Sequence, residues 1–141
     1  MEIRDMVLAR DNECCCFCGN SNEKEGVRLD VHHIRPRRQG GTDTLDNLIT
    51  LCAHCHSRIS RPKFYAAPLW HVIGNLFYVQ QNYGEPVNRP ANNLLMAICR
   101  QDSLFANDKG EIAVKGEKVA AATNNLLQVI ARLRNVNALS S

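Results

Sequence analysis

Apolar and polar positions divide the chain into a first half of short alternating pieces and a second half of longer apolar stripes. Ile3, Met6, Val7 and Leu8 fall on one side of a short helix that the Asp11-Asn12 pair should end. "GNSNEKEG" is polar throughout and reads as a loop. "VRLDVHHI" sets Val27, Leu29 and Val31 against polar partners, the alternation of a half-buried strand, and Pro36 biases Arg35 to an extended shape. "RPRRQGGTDT" is a loop with paired glycines, "NLITLC" a second short strand, and "AHCHSRIS" a helix that Pro62 stops or kinks.

Beyond residue 64 the pattern changes. "FYAAPLWHVIGNLFYVQQNYG" predicts a helix from about Pro68 to Tyr83, with Pro68 in its first turn and Gly84 and Pro86 ending it. "ANNLLMAICRQ" (91–101) and "TNNLLQVIARL" (123–133) are two amphipathic helices with buried Leu/Ile stripes, and Cys99 falls on the apolar side as a small core residue. "NDKGEIAVKGE" between them is a hairpin or a loose loop. The expectation is an α+β chain: a small domain over residues 1–64 and an α-helical C-terminal extension over 65–141.

A hydrophobic content of 45% and a charged content of 22% are ordinary for a soluble globular protein, and the formal charge of +3 is mild. Its distribution says more. Residues 1–34 hold four Lys/Arg against seven Asp/Glu, whereas residues 35–63 hold six Lys/Arg (Arg35, Arg37, Arg38, Arg58, Arg61 and Lys63) against two acids. That local basic excess suits a polyanionic partner. The N-terminal residues lack the apolar core of a signal peptide, and no apolar run approaches the roughly 18–20 residues that span a bilayer, so the expectation is a cytoplasmic protein with no membrane partner. In that compartment seven cysteines point to metal or redox chemistry rather than a disulfide framework.

Cys15-x-x-Cys18-Gly19 and Cys52-x-x-Cys55 are two paired-cysteine units. Each presents two thiolates from one tight turn, and four thiolates satisfy a tetrahedral structural Zn²⁺. Cys14 and Cys16 flank the first ligand, and either could substitute for Cys15. The 33 residues between the units exceed what a simple zinc ribbon carries. Four of the five histidines fall between Val31 and His56, within or beside that insert. His54, inside the second unit, reads as exposed, and His71 as a partly buried structural histidine near Trp70.

The order of these residues resembles the HNH endonuclease family in its four-cysteine zinc version. The matching pieces are Cys15-x-x-Cys18-Gly19, "HHIRP" with His32 and His33, "GGTDTLDNL" with Asn47, and "LCAHCH" with Cys52, Cys55 and His56. The leading helix "IRDMVLARDNE" is also family-like, and the resemblance spans roughly residues 3–60. It implies a ββα-metal domain that cuts DNA. It further implies that His33 is the general base, that His32 and His56 hold a catalytic divalent ion such as Mg²⁺ or Mn²⁺, and that Asn47 holds the loop and orients the base. Many members carry a lysine three residues after the last histidine. Ile59 stands there instead, so that charge would fall to Arg58 and Arg61.

In-line hydrolysis of a phosphodiester needs water on one side of the phosphate and support for the departing oxygen on the other. Adjacent residues on a strand point to opposite faces, so His32 and His33 can flank one phosphate. A neutral histidine suits proton abstraction. Phosphate contacts are expected from Arg35, Arg37, Arg38, Arg58, Arg61 and Lys63. The alternative is a non-catalytic zinc module that binds nucleic acid. Residues 65–141 could dimerise or target DNA.

Overall fold

The computed structural model describes residues 2–59, 65–100, 105–106, 111–114 and 117–140. The first half follows the order read from its pattern. Helix α1 (Ile3–Arg10) leads into a turn in which Asn12 and Glu13 take positive φ, and the first cysteine pair follows. Strands β1 (Leu29–His33) and β2 (Leu48–Cys52) form an antiparallel hairpin that pairs Leu29 with Cys52 and His33 with Leu48. Helix α3 (Ala53–Ile59) then starts directly from the second cysteine pair.

The polar stretch after Gly19 is not wholly a loop. Asn22–Glu25 forms a one-turn helix, α2. The Ser21 hydroxyl accepts from the Lys24 amide, while the Glu25 carboxylate accepts from the Ser21 amide and hydroxyl. Reciprocal capping of this kind satisfies the orphan donors of a helix start without any apolar stripe, which explains why hydrophobic periodicity misses it.

The second half carries β3 (Tyr65–Pro68), α4 (Leu69–Tyr83), α5 (Asn88–Cys99), β4 (Phe105–Ala106), β5 (Glu111–Val114) and α6 (Glu117–Ser140). The extension is thus helical with a small added sheet of order β3-β5-β4, antiparallel throughout. Pro68 ends the strand rather than opening the helix. Within residues 107–117, which the sequence left open, β5 pairs antiparallel with the preceding β4, and α6 runs well beyond residues 123–133 on both sides. Cys99 is exposed, contrary to the expectation of a core residue. The buried side of α5 is Ala91, Leu94 and Ile98, and Cys99 lies one step round the helix from it.

One continuous core runs through both halves. Phe17, Ile49 and Leu51 from the hairpin side join Val79, Leu94, Leu126, Leu127 and Ile130 from the helices. Leu126, Leu127 and Ile130 are fully buried, and each contributes about 1.5–3 kcal/mol by leaving water.

Polar ties cross the same boundary. The buried Arg10 guanidinium pairs with Asp11 at 2.8 Å and donates to the Leu45 and Leu48 carbonyls and to Asn135 Oδ1 on α6. Asp11 accepts from the Thr50 amide, and Asn135 Nδ2 donates to Asp46 at 2.7 Å. Tyr83 donates its hydroxyl to the Cys16 carbonyl, with the Arg134 guanidinium 5.3 Å from its ring centre. The last helix therefore holds the loop between the two strands from behind.

Candidate functional site

The cysteine group assembles at one end of the hairpin. The backbone amide of Cys16 donates to the Thr50 carbonyl, which fixes the first pair against β2. The amide of Ala53 donates to the Arg28 carbonyl, which fixes the second pair against the start of β1. Gly19 turns away with φ +84, and a Cβ there would collide with the ring of Tyr78. The sulfurs of Cys15, Cys18, Cys52 and Cys55 all lie within 4.8 Å of one another. Cys18 Sγ and Cys52 Sγ are 3.6 Å apart. Four sulfurs around Zn²⁺ at about 2.3 Å would stand roughly 3.8 Å from each other, so the group fits a tetrahedral zinc site.

The flanking cysteines are excluded by direction. Cys14 Sγ donates to the Asn12 carbonyl, and Cys16 is buried away from the group, where burial and then the Asp11 charge push its thiol up. Within the group, sulfur-to-sulfur hydrogen bonding pulls Cys15 and Cys52 below the ordinary thiol range and pushes Cys18 and Cys55 above it. Four thiols this close cannot all ionise without a cation among them.

The histidines stand further along the hairpin. His32 faces the His56 ring from α3, edge to face, with centroids 5.1 Å apart. Its Nε2 is buried without a hydrogen-bond partner among the described residues. Burial, then the neighbouring His56 and His33, lower its pKa to about 4, so the ring is neutral near pH 7. His56 Nδ1 lies 2.9 Å from Asp30 Oδ2. Asp30 precedes His32 by two residues and shares its face of β1. Burial raises the Asp30 pKa, but hydrogen bonds from His56 and Arg28 outweigh it and leave the carboxyl below its usual range. An ionised carboxylate only accepts, so His56 Nδ1, at hydrogen-bond distance from it, carries a proton. An orphaned imidazole nitrogen beside a carboxylate-oriented histidine is a donor set that fits a divalent ion.

His33 turns to the other face. Its Nε2 meets Asp43 Oδ1 at 2.7 Å, and Arg37 pairs with both oxygens of the same carboxylate at 3.1 and 2.9 Å. Asn47 is buried and makes no hydrogen bond to a histidine among the described residues. Its Oδ1 accepts from the Arg35 amide, and its Nδ2 donates to the Arg35 and Thr42 carbonyls, so it closes the loop. Gly41 is required within that loop, because a Cβ there would strike the Arg35 carbonyl.

The basic residues separate. Arg35 folds back, donating to the Gln39 carbonyl at 2.7 Å. Arg37 is committed to Asp43. Arg38 is exposed and makes no hydrogen bond or ion pair among the described residues. Arg61 and Lys63 lie outside the described residues, as do the side chains of Arg58 and His71. His54 is exposed. Sequence reasoning passed over Asp30 and Asp43, the carboxylates that orient the two outer histidines. The i, i+2 spacing of Asp30 and His32 on a strand was the available signal for the first; Asp43 is brought in only by the loop.

Among the described residues, no helix is long and apolar enough to cross a membrane. Residues 15–61 match the family model of the HNH endonucleases. A segment of 65 residues is 46% identical to the type IV methyl-directed restriction enzyme EcoKMcrA of Escherichia coli (strain K12). That alignment covers 43% of this chain and 24% of the enzyme, so the chain spans about a quarter of the length of the curated relative it matches. No solved structure matches significantly. Residues 15–61, which carry the four-cysteine pocket and the histidines on the two faces of β1, thus match an HNH endonuclease domain.

Proposed function

We propose that the chain is a metal-dependent DNA endonuclease that hydrolyses phosphodiester bonds, with His33 as general base. His32 and His56 would hold the catalytic divalent ion, and Cys15, Cys18, Cys52 and Cys55 a structural zinc. The observation that carries the reading is the division of His32 and His33 between two faces of β1, with the orphaned His32 Nε2 beside the His56 ring. When bound, the divalent ion supplies charge stabilisation to phosphate oxygens and to the departing oxygen.

The chain's own residues do the rest. His33 takes a proton from the attacking water. Asn47 keeps the Arg35–Thr42 loop closed behind it. Asp30 holds the His56 ring in one orientation. Arg38 meets the DNA backbone in a way that carries no sequence information.

The test is nicking of supercoiled plasmid with Mg²⁺ or Mn²⁺, with and without chelator, on methylated and unmethylated DNA. Cleavage that needs the added ion, at conditions that leave zinc in place, is the expected result. Tight DNA binding with no cleavage under any ion would leave a zinc-containing binding module instead.

A further inference from the structure

We infer that Asp43 is a positioning residue for His33: it fixes which ring nitrogen abstracts the proton, and that nitrogen is Nδ1. The inference rests on the proposal that His33 is the base. Its geometric warrant is separate.

Asp43 Oδ1 lies 2.7 Å from His33 Nε2. A carboxylate offers only lone pairs, so the ring nitrogen at that distance must carry a proton. Arg37 does not compete for that place. Its Nε is 3.3 Å from His33 Nε2 but 3.1 Å from Asp43 Oδ1, and its Nη2 is 2.9 Å from Asp43 Oδ2. The guanidinium therefore belongs to the carboxylate, and the imidazole donates to the same oxygen from the other side. Hydrogen bonds from His33 first, then from Arg37, hold the Asp43 carboxyl below its usual range, so it is ionised at neutral pH.

With the Asp43 contact placing a proton on Nε2, Nδ1 is the ring atom left to accept one, and it makes no hydrogen bond among the described residues. When water gives its proton to Nδ1, the ring becomes imidazolium, and Asp43 already stands against its positive charge. The same carboxylate places a negative charge where a phosphate must approach, and Arg37 offsets it. Asp43 thus trades some DNA affinity for orientation of the base. A plain structural strut would have no such opposed effects.

The experiment compares Asp43→Asn, Asp43→Glu and His33→Ala in the zinc-loaded full chain. Single-turnover cleavage of Asp43→Asn should fall about 10–100-fold, the usual cost of losing an orienting partner. Its affinity for duplex DNA, measured in chelator that spares the zinc, should rise, because a negative charge is removed and Arg37 is released. Long-range ¹H–¹⁵N spectra should show His33 as the Nε2–H tautomer in the parent and as a mixture in Asp43→Asn. Asp43→Glu should recover part of the rate.

If His33→Ala is inactive while Asp43→Asn cuts at the parent rate or faster, Asp43 is a bystander or a latch, and the inference fails while the base stands. Loss of rate together with zinc or DNA binding would make Asp43 structural and also overturn it. Parent-rate cleavage by His33→Ala would instead remove the base reading on which the inference depends.

Discussion

The β1–β2 hairpin carries a thiol pocket where Leu29 pairs with Cys52 and a histidine face where His33 pairs with Leu48. Cys15, Cys52 and Cys55 are 2% exposed or less, and the four sulfurs face one another, with the Cys55 amide donating to Cys52 Sγ. The histidines are partly open, and each outer one leans on a carboxylate: His56 on Asp30 and His33 on Asp43. Closed coordination with the protein supplying every ligand is what a structural ion needs; open positions and oriented nitrogens are what a reacting phosphate needs. Substitutions at the first end should therefore change whether the domain folds, and those at the second how fast it works.

The largest effect belongs to the thiol end. Structural zinc binding is worth about 10–16 kcal/mol in small domains, which exceeds or equals the roughly 5–15 kcal/mol stability of a whole protein. The Cys52→Ser, Cys55→Ser double variant should lose its zinc and aggregate or unfold over residues 15–61, as metal analysis and circular dichroism would record. A soluble variant with unchanged zinc would erase the contrast between the two ends.

Next comes the histidine face. His33→Ala should keep its zinc, its fold and its DNA affinity while cleavage falls about 10²–10⁴-fold, the contribution of a general base. His56→Ala should lose affinity for the added ion, so excess Mn²⁺ should recover part of its rate. Rescue of His33→Ala by metal, with none for His56→Ala, would mean that the two histidines have exchanged roles.

The two ends also differ in how far they can be read from the chain. Two Cys-x-x-Cys units state their chemistry in four letters, because the local turn alone brings each pair together. The flanking Cys14 and Cys16 were ambiguous, since choosing among three adjacent cysteines requires the direction of each side chain. His32, His33, Asn47 and His56 could be named together from their order, and of these the structure brings the His32 and His56 rings against each other. Their partners could not be: Asp43 reaches His33 through a loop whose shape depends on Gly41 and Asn47. The one-turn helix after Ser21 was missed because a cap, not periodicity, makes it. Least legible was the tie from Asn135 to Arg10 and Asp46, separated from them by 125 and 89 positions. No short motif encodes a contact at such separation.

That tie gives a smaller, third effect. Asn135→Ala leaves Arg10 and Asp46 each without one hydrogen bond and should cost about 1–3 kcal/mol. A lower midpoint in a single denaturation transition is expected, with zinc retained. If residues 15–61 instead melted at the parent temperature, α6 would be an appendage rather than the back wall of the loop.

The smallest effect concerns charge, and it separates the two ends by ionic strength. Zinc retention should not respond to salt, because the pocket is buried. DNA affinity should fall log-linearly with salt, since cations on the backbone dominate it. Among the loop arginines the structure ranks the contributions. Arg35 is spent on the Gln39 carbonyl and Arg37 on Asp43, whereas Arg38 is exposed. Arg38→Ala should reduce the salt slope by about 1 and weaken binding alike on all sequences. Arg37→Ala should do less, because its charge is already offset by Asp43, and Arg35→Ala should act through the loop rather than through salt. Equal slopes for the three variants, read from binding isotherms at several ionic strengths, would mean that DNA reorganises the loop on contact and that the free geometry does not decide which arginine meets phosphate.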